Sequence, residues 1–205
     1  MSEFTETKER IFDAFIEMIS ALGYENVTIR DIAKRVGINA ATIYYHYESK
    51  DKILEHVYEY FTRHYFDNRI PVGEMKELIE TATAKEMIAA IVRNYLSEDQ
   101  KKYVRMILIT KIIYMRLFQD PVANAMFLEN NKNDAEYVIN VMKHGVDVGR
   151  INPAFDVETF ADILIGSMVI MGIKAFADTA YKVGQLDQEN RLMAMLEILL
   201  STALK

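Results

Sequence analysis

Apolar residues return every three or four positions through most of this chain, and nowhere do they alternate with polar ones over the length of a strand. That periodicity predicts helices almost throughout and an all-α fold. From Ser49 one helix is predicted to run to about residue 68, near Pro71 and Gly73, a span of about 30 Å at roughly 1.5 Å per residue. A short helix is predicted near Met75 to Thr81, and further helices over 84–96, 98–118, 121–129, 132–147, 157–182 and 188–203. Capping signals recur at the expected starts: Thr83 with Glu86, Ser97 with Gln100, and Asp120 before Pro121. With 8 glycines and 3 prolines in 205 residues there are few places for the helices to break. Internal repeats and low-complexity tracts are absent.

Between Thr28 and Lys52 the helices become short and sharply punctuated. Thr28 can cap a first helix by accepting from its opening amides, and Asp31 puts a carboxylate near the positive helix end. Gly37 can take the left-handed conformation that closes that helix, and Asn39 can cap the next one at once. Ala33 is small enough for the two helices to cross closely, with Ile32, Ile38 and Ile43 as the apolar contacts at the crossing. Ala40, Ala41, Thr42 and Tyr45 are then left to face outward. Such a pair can present its second helix to a DNA major groove. On spacing alone, an ordinary helical hairpin packed inside a core stays open.

The residues that follow narrow the choice. Thr28, Ile32, Ala33, Gly37, Tyr44, His46, Lys50 and Leu54, with Val36, Ile38, Ile43 and Tyr47 as conservative replacements, resemble the DNA-binding domain of the TetR family of transcriptional repressors. Ile11, Ala14, Phe15 and the Gly23-Tyr24 pair look like that family's first helix and its end. The resemblance covers about the first quarter of the chain; beyond it only the helical layout is similar. It implies a helix-turn-helix domain over 1–48 and an effector-binding and dimerisation domain over 49–205. It further implies phosphate contacts from Thr28, Tyr44 and Lys50 and base-edge contacts from Ala41, Thr42 and Tyr45. Asn39, Ala40 and His46 complete the DNA-facing set. One departure matters: many relatives carry a lysine or arginine where this chain has Ala40. The reading helix therefore holds no lysine or arginine for a bidentate guanine contact, and readout falls on thymine methyls, a tyrosine hydroxyl and DNA shape. Arg30 is a candidate substitute cation, or a residue of a solvated face.

The net charge of -6 runs against a nucleic-acid partner for the chain as a whole. From Thr28 to Lys52 the balance reverses: Arg30, Lys34, Arg35, Lys50 and Lys52 stand against Asp31, Glu48 and Asp51, a local excess of two positive charges. Helix starts at Thr28, Asn39 and Ser49 can add backbone amides aimed at phosphates. The expectation is site-selective, salt-sensitive binding, with the acidic remainder opposing non-specific retention.

The last two helices carry more apolar surface than one packing face needs. Phe160 to Ala177 is apolar nearly all round, and the final helix repeats the excess with Leu192, Met193, Met195, Leu196, Ile198, Leu199 and Leu200. Gly166, Ser167, Gly172 and Ala175 allow close approach, so a four-helix homodimer interface is expected, with a single buried core helix as the plainer alternative. Two-fold symmetry would set two reading helices roughly 34 Å apart on a palindromic operator in double-stranded DNA. The middle helices are rich in aromatics and methionines. Phe61, Tyr65, Tyr95, Met106, Tyr114, Phe118, Met126, Tyr137 and Met168 are candidates to line an adaptable site for a small apolar or aromatic effector, although most such residues serve as core. Arg105 and Arg116, eleven positions apart, are candidates to meet an acidic effector or to form a solvated stripe.

Other chemistries find little support. There is no cysteine, so disulfides and thiolate metal sites are excluded. None of His46, His56, His64 and His144 has a glutamate three positions before it, as a di-iron bundle requires; His64 with Asp67 is the nearest thing to a metal pair. Protease, nucleophile-elbow and phosphate-loop motifs do not occur. No metal, no cofactor and no enzymatic activity are expected. A helical-bundle enzyme and a protein-binding adaptor are the alternatives to a ligand-responsive, DNA-binding repressor. The first residues lack a basic start and an apolar run, and the most apolar stretch, Ile163 to Ile173, is too short for a bilayer, so a cytoplasmic protein with no membrane partner is expected.

Overall fold

The computed structural model describes residues 5–67, 69–83, 85–87, 89–90, 100–177 and 185–203. Among these the regular elements are helices: α1 (Glu6–Leu22), a 3₁₀ turn (Tyr24–Asn26), α2 (Ile29–Val36), α3 (Ala40–His46), α4 (Lys50–His64), α5 (Val72–Thr81), α6 (Gln100–Arg116), α7 (Pro121–Asp147), α8 (Val157–Ala177) and α9 (Gln185–Ala203). Residues 85–87 and 89–90 are helical as well. The helix start expected at Ser97, most of the helix expected over 84–96, and the end of that expected over 157–182 lie outside the described residues. Two helices expected over 121–129 and 132–147 are one: α7 runs unbroken through Asn130 and Asn131. Asparagine costs a helix only a few tenths of a kcal/mol against its best formers, and with no glycine or proline there, nothing forces a break.

The described residues pack as two compact units, one made of residues up to 67 with 100–127, the other of 69–90 with 128–203. In the first, α1 is central. Ile11, Phe12, Phe15, Ile16 and Ile19 are almost wholly buried in one core with Val27, with Ile32 of α2 and Ile43 of α3, with Ile53, Val57 and Phe61 of α4, and with Ile109, Ile112 and Ile113 of α6. Helices α2 and α3 thus share this core with α4 and α6.

The second unit gathers Met75 and Ile79 of α5, Met87, Val141 and Met142 of α7, Ile151, Phe160 of α8 and Leu196 of α9 around a separate core. Gly145 lets α7 pass close there: a Cβ at that position would sit 2.7 Å from the Cδ1 atoms of both Ile79 and Ile151. Arg150 closes the end of α5 by donating to the carbonyls of Ile79 (3.1 Å) and Ala82 (2.6 Å). A box of Thr83 and Glu86 caps the helical residues that follow, as the sequence predicts.

Candidate nucleic-acid interface

The turn between α2 and α3 is built from three local devices. Thr28 and Asp31 form a reciprocal capping box: the Thr28 oxygen accepts from the Asp31 amide, and the Asp31 carboxylate accepts from the Thr28 amide at 2.9 Å and hydroxyl at 2.5 Å. Those bonds from the Thr28 side chain and backbone hold the Asp31 carboxyl below its ordinary range. Gly37 then takes the left-handed conformation (φ 77°, ψ 34°), and its amide bonds back to Ala33 and Lys34. Asn39 caps α3 by accepting from the Thr42 amide at 2.8 Å. Ile32, Ala33 and Ile43 are buried at the crossing, as expected, and Ile38 packs against the same core.

What remains outside is the candidate reading surface. Tyr45 is 86% exposed and Tyr44 is 55% exposed. The His46 ring meets Tyr45 edge-on at 5.1 Å, so an aromatic pair holds the exposed ring. Ala41 is exposed, and Ala40 and Thr42 are partly so. The Thr42 hydroxyl donates to Asn39 at 3.0 Å, which engages its proton and leaves the methyl group and a lone pair for other contacts. Arg30 and Lys34 are exposed and carry no ion pair among the described residues. Lys34 is absent from the expected set, although its place on the same short helix as Arg30 could have marked it.

Other cations in the region are engaged internally. Arg35 pairs with Glu17 at 2.9 Å, and Lys52 with Glu55 at 2.5 Å. The Lys50 ammonium donates to the carbonyls of Tyr24 (2.9 Å) and Val27 (3.0 Å) and lies 3.9 Å from the centre of the Tyr24 ring. Its first task is therefore to tie the start of α4 to the chain just before Thr28. Likewise, the Thr28 hydroxyl and amide already serve Asp31, so a phosphate arriving at α2 would meet the remaining amides of its first turn. Ser49 caps α4 through the Lys52 amide at 3.2 Å.

Of the nine candidate effector residues, five belong to the core of the first unit and two to the second unit. Tyr95 lies outside the described residues. In the first unit Phe61 is core, and Tyr65, Met106, Tyr114 and Met126 pack partly buried against the same core. The Tyr65 ring lies 4.9 Å from that of Phe61, tilted by 50°, and burial raises the Tyr114 hydroxyl above its ordinary pKa. Phe118 sits in the turn after α6 and is 92% exposed. Tyr137 and Met168 belong to the second unit, where the Tyr137 hydroxyl donates to the Ile70 carbonyl at 2.8 Å. A shallow groove of about 320 Å³ between α1 and α6, floored by Ile16, Val104 and Leu108, contains none of the nine.

The two arginines of α6 have partners within the first unit. Arg105 forks onto Asp13 (2.6 and 2.9 Å) and reaches Glu9 at 2.7 Å; Arg116 pairs with Asp120 at 2.9 Å and with the Tyr58 hydroxyl at 3.1 Å. The protein's own carboxylates thus hold both guanidinium groups. His64 pairs with Asp67 at 2.6 Å, and Lys102 shares that carboxylate. Among the described residues no cluster of histidines and carboxylates is assembled to hold a metal ion. No helix there is long and apolar enough to cross a membrane.

A capped, glycine-closed helix pair with an exposed second helix has the geometry of a helix-turn-helix unit. Residues 11–57 match the family described as bacterial regulatory proteins, tetR family. The HTH-type transcriptional regulator SrpR of Pseudomonas putida is 21% identical over 165 residues, which cover 80% of this chain and 73% of SrpR. IcaR of Staphylococcus epidermidis, the negative transcriptional regulator of the biofilm operon icaADBC, is 40% identical over 58 residues, 26% of this chain and 31% of IcaR. The match thus spans under a third of IcaR. The crystal structure of a putative transcriptional regulator from Saccharomonospora viridis in complex with choline superposes with a TM-score of 0.63 at 20% identity, covering 96% of this chain and 97% of that one, a likeness of fold. The family match thus lies in residues 11–57, and the chain as a whole shares its fold with the Saccharomonospora viridis regulator.

Proposed function

We propose that this protein is a repressor that binds a palindromic operator as a homodimer, α3 of each subunit lying in a major groove, and that a small apolar or aromatic effector releases it. The observation that carries the reading is Tyr45, an aromatic residue 86% exposed on α3, where Ala41 is exposed as well. In this reading Ala41, Thr42 and Tyr45 approach base edges. Asn39, Ala40 and His46 frame them, while Thr28, Arg30, Tyr44 and Lys50 lie toward phosphates. The reading head is residues 1–48; residues 49–205 sense the effector and dimerise. Exposed apolar residues on α8 (Ile163, Ile170, Ile173) and α9 (Met193, Ile198) support pairing of two subunits through these helices. The choline complex of the Saccharomonospora viridis regulator supports a small-molecule effector. A protein that acts on bacterial chromosomal DNA works in the cytoplasm.

The test begins by recovering duplexes from a random pool with the full-length protein. Tyr45→Ala is expected to change the preferred sequence at one position of each half-site while leaving the salt dependence of affinity intact, since it removes a base contact and no phosphate contact. If it selects the same sequences as the wild type, Tyr45 does not read bases. Titrating the recovered duplex in the presence of a panel of aromatic and apolar amines and acids tests release. A coupling of about 1–3 kcal/mol, roughly 5- to 150-fold in affinity, is expected for the effector; unchanged affinity across the panel counts against induction.

A further inference from the structure

The ring of Tyr24 joins three parts of the first unit. It stands in the 3₁₀ turn between α1 and α2, where two cations lie on it: the Lys50 ammonium at 3.9 Å and the Arg116 guanidinium at 4.4 Å from the ring centre. Its hydroxyl donates to the Asp51 carboxylate at the start of α4. Lys50 also holds the Tyr24 and Val27 carbonyls, and Val27 precedes the Thr28 cap of α2. Arg116 arrives from the far end of α6. There Asp120 binds it, accepts from the Tyr58 hydroxyl at 2.8 Å, and caps α7 through the Val122 amide at 2.9 Å. Burial pulls the Asp120 carboxyl upward, but Tyr58, Arg116 and the capping amides outweigh it and hold it below its ordinary range. The carboxylate is thus the fixed anion at this corner.

We propose that Tyr24 is a positioning residue for the reading head: the Arg116–Tyr24–Lys50 stack ties the α6–α7 corner directly to the start of α2. The path from Asp120 through Arg116, Tyr24 and Lys50 to Val27 bypasses the length of α4. None of these side chains needs to touch DNA. With the stack intact the two short helices leave the turn in one direction. Without it the head samples others, and apparent affinity falls with the fraction that remains competent to bind. A cation over an aromatic ring is a modest contact, and two on one ring fit a joint that holds the head yet can be displaced. Because Asp120 both caps α7 and holds Arg116, any shift at the start of α7 reaches the head through this ring.

This inference rests on the DNA-binding reading, and the test separates the two. Full-length variants are titrated with the duplex recovered by the wild type, at several salt concentrations. Tyr24→Leu and Arg116→Met are each expected to bind roughly fivefold to tenfold more weakly, the size of one or two lost cation–ring contacts. The slope of log affinity against log salt should not change, because neither side chain meets a phosphate. Tyr24→Phe keeps the ring and is expected to stay within about twofold of the wild type. The double variant Tyr24→Leu/Arg116→Met should be no weaker than the weaker single one. Should Tyr24→Leu fold poorly, Arg116→Met and Tyr24→Phe carry the comparison, and faster hydrogen exchange of the α2 amides in Arg116→Met is the second readout. Singles that bind like the wild type, losses that add, or a shallower salt slope for Arg116→Met would overturn the proposal. A wild type that selects no duplex removes the DNA-binding reading and this role with it.

Discussion

Arg105→Ala is expected to cost about 2–4 kcal/mol of folding stability, read as a fall in the midpoint of urea unfolding at unchanged slope. The Arg105 side chain is only 10% exposed, yet it is charged, and three carboxylate contacts from Asp13 and Glu9 satisfy it. Its guanidinium also lies within about 6 Å of the centres of the Phe12 and Tyr60 rings. Removing it leaves two carboxylates of α1 facing apolar neighbours on α4 and α6. The penalty stays below that of a fully buried pair, because Asp13 and Glu9 keep part of their hydration and Lys101 remains 2.9 Å from Glu9. Arg105→Lys should fall between the two, since an ammonium keeps the charge and loses the planar fork. A loss under about 1 kcal/mol for the alanine variant would mean that the cluster holds α1 to α6 only weakly.

The same cluster gives stability a dependence on acid. Hydrogen bonds from Lys101 and Arg105 outweigh burial and hold the Glu9 carboxyl below its ordinary range in the folded protein. A lowered acid stabilises the fold above its unfolded pKa, and the contribution disappears as pH falls through the folded value. Stability should therefore decline through the acidic side of the ordinary glutamate range, and Arg105→Ala should flatten part of that decline.

The parts of this protein that the sequence makes legible are those set by neighbours in the chain. Thr28 with Asp31, Gly37, Asn39 and Ser49 each work within four residues, and their caps and turn follow from local sterics and hydrogen bonding alone. Lys50 shows the limit: its charge and spacing suggest a phosphate contact, but its partners are carbonyls 23 and 26 residues away. Arg105 is a larger case, because the carboxylates that take it are 92 and 96 residues earlier, and no local pattern pairs them. The candidate effector set meets a different limit. Aromatic and methionine content reports how much apolar surface a helix carries and says nothing of where it points, so Phe118 in an exposed turn and Tyr137 in the other unit's packing looked alike. The reading surface escaped that ambiguity because the buried isoleucines on either side of it fix which way α3 faces.

That orientation yields the largest functional effect expected of a single substitution. Ala41→Asp should leave the fold intact and weaken operator binding by at least about 100-fold, close to 3 kcal/mol, since an uncompensated like-charge contact at an interface costs several kcal/mol. Ala41 is exposed in the first turn of α3, one residue past the start at Ala40. A carboxylate there faces the positive end of the helix, so the unfolding midpoint should hold or rise slightly. In a major groove the same carboxylate would be stripped of water between two lines of phosphates, with no arginine or lysine on α3 to receive it. Ala41→Asn separates charge from size, and a loss of no more than about tenfold is expected from it. Parallel urea unfolding and duplex titrations give both quantities for the same preparation. A folded Ala41→Asp variant that binds as tightly as the wild type would mean that α3 does not face the duplex.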